Sequence, residues 1–337
     1  VPPALEAEEK VANSGHASPP TITLIRGFQI IETSPLIQNS SIEEWEMYPS
    51  PPNGTALNDG TDMKPLDGDG SHTCAILDNG SMACWGMNSN YGNLGDQTTC
   101  HEEYNNTGCP FKWGKNSPVY VKFGDQVLPV SVDTAWDKTC AIMSDHSVRC
   151  WGSHYAPGPE NVSLTSIFNP SAITVGEYAV CIILTDGNVQ CLGNNEYGQL
   201  GNSSRVGGLW NTTFADVSLP ANRSAVRIAA GYMHVCALLD NGSVACWGDN
   251  QNGQLGDWSV TGSTNNSVFA RLPQNRTAVD IDAGDGHSCA ELDNGSVFCW
   301  GWGGNGALGN GIHSTQGYPN GTFVSLPENR TVSQLDL

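Results

Sequence analysis

The residues of this chain best suited to chemistry are its cysteines, which occur as regularly spaced pairs. The chain has twelve cysteines, and nine residues separate the two members of five pairs. Two facing cysteines lack the C-x2-C and second-pair spacing of a zinc site. We therefore favour disulfides in an oxidising compartment, with buried free thiols as the alternative. The repeated pairs are Cys74 and Cys84, Cys140 and Cys150, Cys181 and Cys191, Cys236 and Cys246, and Cys289 and Cys299, and a sixth pair, Cys100 and Cys109, lies inside one insertion.

Each repeated pair lies on a segment that predicts a β-hairpin. In the fourth copy, apolar residues flank 240–242, Asp-Asn-Gly. Asn-Gly between such runs favours a tight turn because glycine accepts positive φ. A three-residue loop then places Cys236 opposite Cys246, at a Cα separation of about 4.5–5.5 Å, which is within disulfide reach. In the second copy His146 holds the glycine position, so a non-glycine residue is expected there at positive φ.

Three histidines invite a catalytic interpretation, since His72, His234 and His287 each stand just before the first cysteine of a pair. Their recurrence at one repeat position predicts a structural role instead. The chain has no Gly-x-Ser-x-Gly, His-Glu-x-x-His or phosphate-loop motif. The sequence therefore predicts a protein that is not an enzyme and needs no cofactor.

One short segment resembles fragments of calcium-binding loops, in which alternating Asp and Gly bend oxygen ligands around the ion. It lacks a full ligand set, and solvated turns are the alternative interpretation. The candidate ligands are Asp59, Asp62, Asp67 and Asp69.

The chain is also rich in N-glycosylation signals, with fourteen Asn-x-Ser/Thr sites. Three of them, at Asn79, Asn241 and Asn294, are explained by hairpin turns alone. The others predict glycosylation of several sites outside the cell. These candidates are Asn39, Asn53, Asn105, Asn161, Asn202, Asn211, Asn222, Asn265, Asn275, Asn320 and Asn329.

The composition and net charge of the chain argue against several classes of binding partner. The net charge is -20, with only 14 Lys plus Arg, which argues against binding to nucleic acid or to anionic membrane surfaces. No apolar run approaches the roughly 18–20 residues of a membrane span. The first residue is Val1 rather than Met, so we expect that a secretion signal has been removed and that the protein is secreted or on the cell surface.

The order of segments predicts a repeat protein with an N-terminal extension. We expect an extended arm at 1–35 with one strand at 21–32, a linker at 36–66 and a β-propeller at 67–337. After the hairpins, most copies continue with a Gly-x-Leu-Gly signature, which the second copy lacks. First cysteines of successive pairs are 66, 41, 55 and 53 residues apart. Periods of this length with several short strands indicate all-β, four-stranded antiparallel propeller blades.

The last twelve residues, 326–337, match 272–283, the segment that leads into the fifth hairpin. They therefore predict the first strand of a unit whose hairpin is missing. We expect this strand to complete the first blade, at the hairpin of Cys74 and Cys84. Closure within one chain gives five or six blades, and the same pairing between chains gives a polymer.

The string at 231–256, Gly-x-x-His-x-Cys-Ala-Leu-Leu-Asp-Asn-Gly-Ser-Val-x-Cys-Trp-Gly-x-Asn-x-x-Gly-Gln-Leu-Gly, resembles the regulator of chromosome condensation repeat family. The resemblance covers about 70–337 and implies a propeller, with seven blades in many members. The cysteine pairs resemble a secreted branch. The family includes nuclear exchange factors for a small GTPase and secreted β-lactamase inhibitors. The acidic, oxidised character of this chain does not suit the nuclear activity.

The sequence therefore predicts an extracellular, glycosylated structural or adhesive propeller that associates with itself in a cell-surface filament or array. The alternative is a soluble propeller that binds a protein or carbohydrate, as an inhibitor does.

Overall fold

The structure is a computed structural model of the chain. It describes residues 22–26, 29–32, 72–77, 79–88, 91–98, 114–124, 126–153, 160–162, 169–203, 210–312, 317–327, 330–332, 335 and 337. These residues form β-strands and a single 3-10 turn at Gly304–Gly306. The fold is all-β, as the sequence predicts.

The strands form five antiparallel sheets, which we call blades 1 to 5 in chain order. Blade 1 contains β1 (Ile22–Arg26), β2 (Gln29–Glu32), β3 (His72–Leu77), β4 (Met82–Met87) and β5 (Gly114–Tyr120). Blade 2 contains β6 (Pro129–Ala135), β7 (Lys138–Met143), β8 (Val148–Gly152) and β9 (Glu160–Val162). Blade 3 contains β10 (Pro170–Val175), β11 (Ala179–Leu184), β12 (Val189–Gly193) and β13 (Asn211–Asp216). Blade 4 contains β14 (Ala225–Ala230), β15 (His234–Leu239), β16 (Val244–Gly248) and β17 (Thr264–Phe269). Blade 5 contains β18 (Ala278–Ala283), β19 (His287–Leu292), β20 (Val297–Trp302) and β21 (Gly317–Phe323).

The cysteine hairpins form the middle two strands of blades 2 to 5 and the third and fourth strands of the five-stranded sheet of blade 1. Cys236 lies opposite Cys246 in the β15–β16 ladder, and the other four pairs face each other in the same way. Their Cα atoms are 4.0–4.1 Å apart. The turn residue His146 has φ of +67°, where Gly242 has +76°. The predicted register and the positive φ at His146 are both confirmed.

The blades stack face to face, which explains why their middle strands are apolar on both sides. Every residue of β11 and β15 is buried. Each interface between neighbouring blades contains an apolar cluster. The clusters join blades 1 and 2, 2 and 3, 3 and 4, and 4 and 5. A further cluster joins blade 5 to Val332, Leu335 and Leu337.

The strand beside the first hairpin differs from the one that closure within one chain predicts. We expected 326–337 to pair with the first hairpin, but β1 pairs with β3 through Ile22 and Thr23. The predicted arm contributes two strands rather than the one predicted at 21–32, because β1 and β2 pair with each other, and both belong to the sheet of blade 1. The described residues of 326–337 form no strand and pack on blade 5. The segment 21–32 is rich in β-branched residues, which favour strands, so it can occupy the sheet edge that was predicted for 326–337. The predicted linker at 36–66 lies outside the described residues.

Candidate functional site

The five repeated cysteine pairs form disulfides in the centre of the blades. The cysteines at 140, 150, 181, 191, 236 and 246 have no exposed surface. Buried crosslinks between facing strands stabilise hairpins, and they are typical of an oxidising, extracellular environment. Cys100 and Cys109 lie outside the described residues.

The recurrent histidines lie at interfaces between blades. His72 Nε2 of blade 1 is hydrogen-bonded to Thr139 Oγ1 of blade 2. In the same way, His234 Nε2 of blade 4 lies 2.8 Å from Ser288 Oγ of blade 5. Burial lowers the pKa of His72 to about 4 and the pKa of His234 to about 3. Both imidazoles are therefore neutral at physiological pH and fasten one blade to the next.

The tryptophans that follow the second cysteine also connect blades. Trp151 Nε1 donates to the Asn93 carbonyl oxygen at 2.9 Å, and Trp300 Nε1 donates to the Gln254 carbonyl oxygen at 2.8 Å. Both acceptors belong to the Gly-x-Leu-Gly segment of the preceding blade. The last glycine of that segment must lack a side chain, because a β-carbon on Gly256 would lie 2.9 Å from Trp300 Nε1. These aromatic rings are thus part of the blade packing.

A small cavity of about 50 Å³ lies between the inner ends of blades 2 to 5. Its walls come from the inner strands and from the turns that follow them. The lining residues are Thr134, Ala135, Trp136, Val175, Gly176, Glu177, Ala230, Gly231, Tyr232, Ala283, Gly284, Asp285 and Leu337.

Three aromatic side chains meet at the mouth of this cavity, one from each of blades 2, 3 and 4. The ring centroids of Trp136 and Tyr232 are 6.3 Å apart, and those of Tyr178 and Tyr232 are 5.2 Å apart. Trp136 has φ of +46°, a sparsely populated conformation for a bulky residue. A hydrogen bond with Tyr232 raises the pKa of Tyr178 to about 12. The mouth therefore carries a compact aromatic cluster in a strained turn.

The same mouth carries a buried cation between carboxylates. Lys138 is fully buried, and its Nζ lies 3.2 Å from Glu177 Oε2 and 3.7 Å from Asp137 Oδ1. Burial raises the pKa of Glu177, and the charge of Lys138 opposes that rise. This cluster was not predicted from the sequence. Its only signal there is that polar and aromatic residues precede several of the hairpins, at a position that differs among the repeats.

The predicted glycosylation sites are distributed over the surface. Asn222, Asn275 and Asn320 are exposed, and Asn202, Asn211 and Asn265 are partly buried. Asn161 lies in β9. Four candidates, Asn39, Asn53, Asn105 and Asn329, lie outside the described residues, as do the calcium candidates Asp59, Asp62, Asp67 and Asp69.

Two further properties concern only the described part of the chain. It contains no group of three or more His, Cys, Asp or Glu side chains that could hold a metal ion. None of its helices is long and apolar enough to cross a membrane.

The described residues of 326–337 make the same hydrogen bonds as the segments that form and precede the inner strands of other blades. Arg330 N donates to the Pro327 carbonyl at 3.2 Å, as Arg276 N donates to Pro273 at 3.1 Å. Leu337 N donates to Asp282 Oδ2 of the inner strand of blade 5 at 2.6 Å. The equivalent contact from blade 3 to blade 2 joins Val175 N to Asp133 Oδ2 at 2.8 Å. The segment therefore stands where the inner strand of a further blade belongs.

Comparison with known proteins agrees with this architecture. One family model, Regulator of chromosome condensation (RCC1) repeat, matches 68–92, 171–199, 225–254 and 278–307. A second model of the same repeat matches 186–238, 241–290 and 294–335.

Relatives match over part of their length. The ultraviolet-B receptor UVR8 of Arabidopsis thaliana is 26% identical over 260 residues, which cover 74% of this chain and 55% of UVR8. The regulator of chromosome condensation of Homo sapiens is 38% identical over 116 residues, which cover 34% of this chain and 26% of that protein. This chain thus spans about half the length of UVR8 and a quarter of the human regulator.

Among solved structures, Prp20p of Saccharomyces cerevisiae has a TM-score of 0.63 at 20% identity, covering 77% of this chain and 62% of Prp20p. Human WBSCR16 has the same TM-score at 18% identity, covering 76% of this chain and 65% of WBSCR16. At this identity the likeness concerns the propeller fold alone. With its repeats matched by both models, the chain belongs to the regulator of chromosome condensation (RCC1) repeat family.

Proposed function

We propose that the protein is a secreted, glycosylated structural or adhesive propeller that is not an enzyme. In this proposal it is a subunit of a cell-surface filament or array, and copies join through their terminal segments. The observation that carries the proposal is the contact of Leu337 with Asp282, at the position where the inner strand of a further blade would pack on blade 5.

The edge of blade 1 supports the same proposal. Strand β1 pairs with β3 at only two positions, Ile22 with Leu77 and Thr23 with Ile76. By contrast, β14 pairs with β15 at five positions. A strand edge that is only partly paired can accept another strand. Val332–Leu337 of a neighbouring copy has the length and the repeat position to pair along β3.

The extracellular part of the proposal rests on the disulfides and on the exposed glycosylation signals. The mass of the native protein should fall on treatment with an N-glycosidase, and five or six disulfides should be reducible. A native mass equal to the sequence mass would exclude glycosylation.

The assembly is tested with the native chain and with two truncations, one lacking 1–35 and one lacking 332–337. Sedimentation velocity in 0.15 M salt, which screens the charge of -20, should show polymers of the native protein. Loss of 332–337 should shift the material towards monomers, whereas loss of 1–35, which removes β1 from the edge of β3, should strengthen association. Monodisperse monomers of the native chain, or association unchanged by either deletion, would rule out terminal assembly.

A second function is favoured by the mouth of the cavity between blades 2 to 5, where aromatic rings and Glu177 converge. Aromatic faces with nearby acceptors suit a sugar or a basic side chain. In this alternative the protein is a soluble propeller that binds a carbohydrate or protein. A glycan array and a pull-down with the monomeric chain would distinguish the two, and Trp136→Ala should abolish binding if the alternative holds.

A further inference from the structure

Four turns at the mouth of the cavity each place one side chain at the same repeat position. Each of these residues lies four positions before the first cysteine of its blade, in the turn between the inner strand and the cysteine hairpin. All four line the cavity. They are Trp136 in blade 2, Glu177 in blade 3, Tyr232 in blade 4 and Asp285 in blade 5. Aromatic and acidic side chains therefore alternate from blade to blade across the mouth.

The mouth has more negative than positive charge. Burial raises the pKa of Glu177, the charge of Lys138 opposes that rise, and the charges of Asp137 and Asp285 add to it. Three carboxylates thus lie close together around the single ammonium of Lys138. None of the described residues that line the cavity is a lysine or an arginine. A further cation from outside the chain would therefore be attracted to the mouth.

The aromatic side chains of the mouth are held in position before any ligand arrives. The turn that carries Trp136 is fastened at the next residue, where Ser153 N donates to the Asp137 carbonyl oxygen at 2.8 Å. The ring of Tyr232 contacts the rings of both Trp136 and Tyr178. Backbone strain such as the φ of +46° at Trp136 is concentrated at binding and catalytic sites. Because fixed side chains lose little entropy when a ligand binds, the arrangement favours a preformed site.

A stacked arginine elsewhere in the chain shows which cation such groups hold. The guanidinium carbon of Arg271 lies 4.0 Å from the ring centroid of Trp258, and its Nε lies 3.1 Å from Asp257 Oδ1. An indole and a carboxylate thus hold one guanidinium between them. The mouth provides the same two kinds of group on neighbouring turns. A guanidinium suits them better than an ammonium because it is planar, stacks on aromatic faces and donates to two acceptors at once.

The size of the cavity also favours a small headgroup. One water takes about 10–15 Å³ of such space, so a cavity of about 50 Å³ admits roughly four atoms of that size. A guanidinium group has this number of heavy atoms, whereas a sugar ring with its hydroxyls is much larger. A neutral sugar would also leave the negative charge of the mouth unbalanced.

We propose that the mouth binds the guanidinium group of an exposed arginine on a partner protein. In the complex the guanidinium stacks on Trp136 and donates to the carboxylates of Glu177 and Asp285. A protein is favoured over free arginine because the α-carboxylate of the free amino acid would be repelled by the same carboxylates. The inference rests on the second of the proposed functions and names the group that the propeller recognises.

Calorimetric titration of the full chain with Nα-acetylarginine amide tests the site, because this probe presents the side chain without charged termini. We expect saturable binding with one site per chain. Nα-acetylcitrulline amide has nearly the same shape and no charge, and it should bind at least about tenfold more weakly. Free L-arginine should also bind more weakly than the amide.

Two variants locate the binding at the mouth. Trp136→Asn removes the indole, and asparagine tolerates positive φ. Asp285→Asn removes one carboxylate from an exposed residue, so it keeps the test valid if the first variant does not fold. Each should weaken binding of the amide about tenfold. The matched control is Asp186→Asn, which removes an exposed carboxylate from the hairpin turn at the opposite end of blade 3 and should leave binding unchanged.

The outcomes separate the inference from the proposed function. If a glycan binds and the arginine amide does not, the second function stands and only the inference fails. If no glycan, protein or arginine amide binds, both fail, and terminal assembly is decided by its own test. Equal binding of the arginine and citrulline amides, or an equal loss in Asp186→Asn and Asp285→Asn, would overturn the site. Tighter binding of free arginine than of its amide would overturn the assignment to a partner protein.

Discussion

At the residue scale, one turn carries a conformational strain that its counterparts avoid. His146 has φ of +67°, and four equivalent turns have glycine, as at Gly242 with φ of +76°. The left-handed conformation costs a side-chain-bearing residue about 1–2 kcal/mol. We predict that His146→Gly raises the free energy of unfolding by about 1 kcal/mol in urea denaturation. The matched control is Gly242→Ala, whose β-carbon would lie 2.6 Å from Thr277 Cβ, and it should destabilise. A loss of stability in His146→Gly would contradict the strain argument.

The buried histidines predict how stability depends on pH. Burial lowers the pKa of His72 to about 4 and that of His234 to about 3, whereas the pKa of an unfolded histidine is about 6.5. Unfolding therefore takes up protons below pH 6.5. Stability is fully present above that pH, and it falls as the pH decreases towards 4 and 3. The loss between pH 7 and pH 5 should be about 2 kcal/mol per histidine.

This dependence is measured by urea denaturation at both pH values, for the wild type and for a variant with His72→Asn and His234→Asn. The variant should be less stable at pH 7 and should lose much less on acidification. Equal losses in the two proteins would show that these histidines do not govern the acid response.

At the element scale, each blade is held by a tryptophan that reaches the preceding blade. We predict that Trp300→Phe, which removes one of the two donors to the buried Gln254 carbonyl and leaves Ser288 Oγ as the other, lowers the free energy of unfolding by about 1 kcal/mol. Trp258 offers a matched control, because it is 49% exposed and stacks under Arg271. Trp258→Phe should change the unfolding midpoint little. Equal effects of the two substitutions would contradict the role assigned to Trp300.

The elements also differ in how well the sequence predicts them. The hairpins were predictable to the residue, because turn chemistry and alternation act over a few positions, and Cys236 faces Cys246 as expected. The strand that pairs with the inner edge of β3 was not predictable. Strand β1 is distant from β3 in sequence, and two segments, 21–32 and 326–337, could occupy that edge. The meeting of Trp136 with Tyr232 was also beyond prediction, because it depends on how blades 2 to 4 are arranged around the axis.

At the scale of the whole molecule, the protein is a disulfide-bonded propeller, and we propose that its copies assemble head to tail. Five disulfides crosslink the blades, and the charge of -20 opposes close approach of copies. Complementary faces must overcome this repulsion, which salt screens. We therefore predict that association strengthens as ionic strength rises from 0.01 M to 0.15 M. Weaker association at higher salt would point to an interface held by ion pairs.

Electron microscopy of the native protein tests the central claim most directly. The proposed assembly predicts linear polymers of propeller-sized subunits joined through their terminal segments. A field of single particles, each the size of one 35.8 kDa chain with its glycans, at every concentration and salt condition would contradict it.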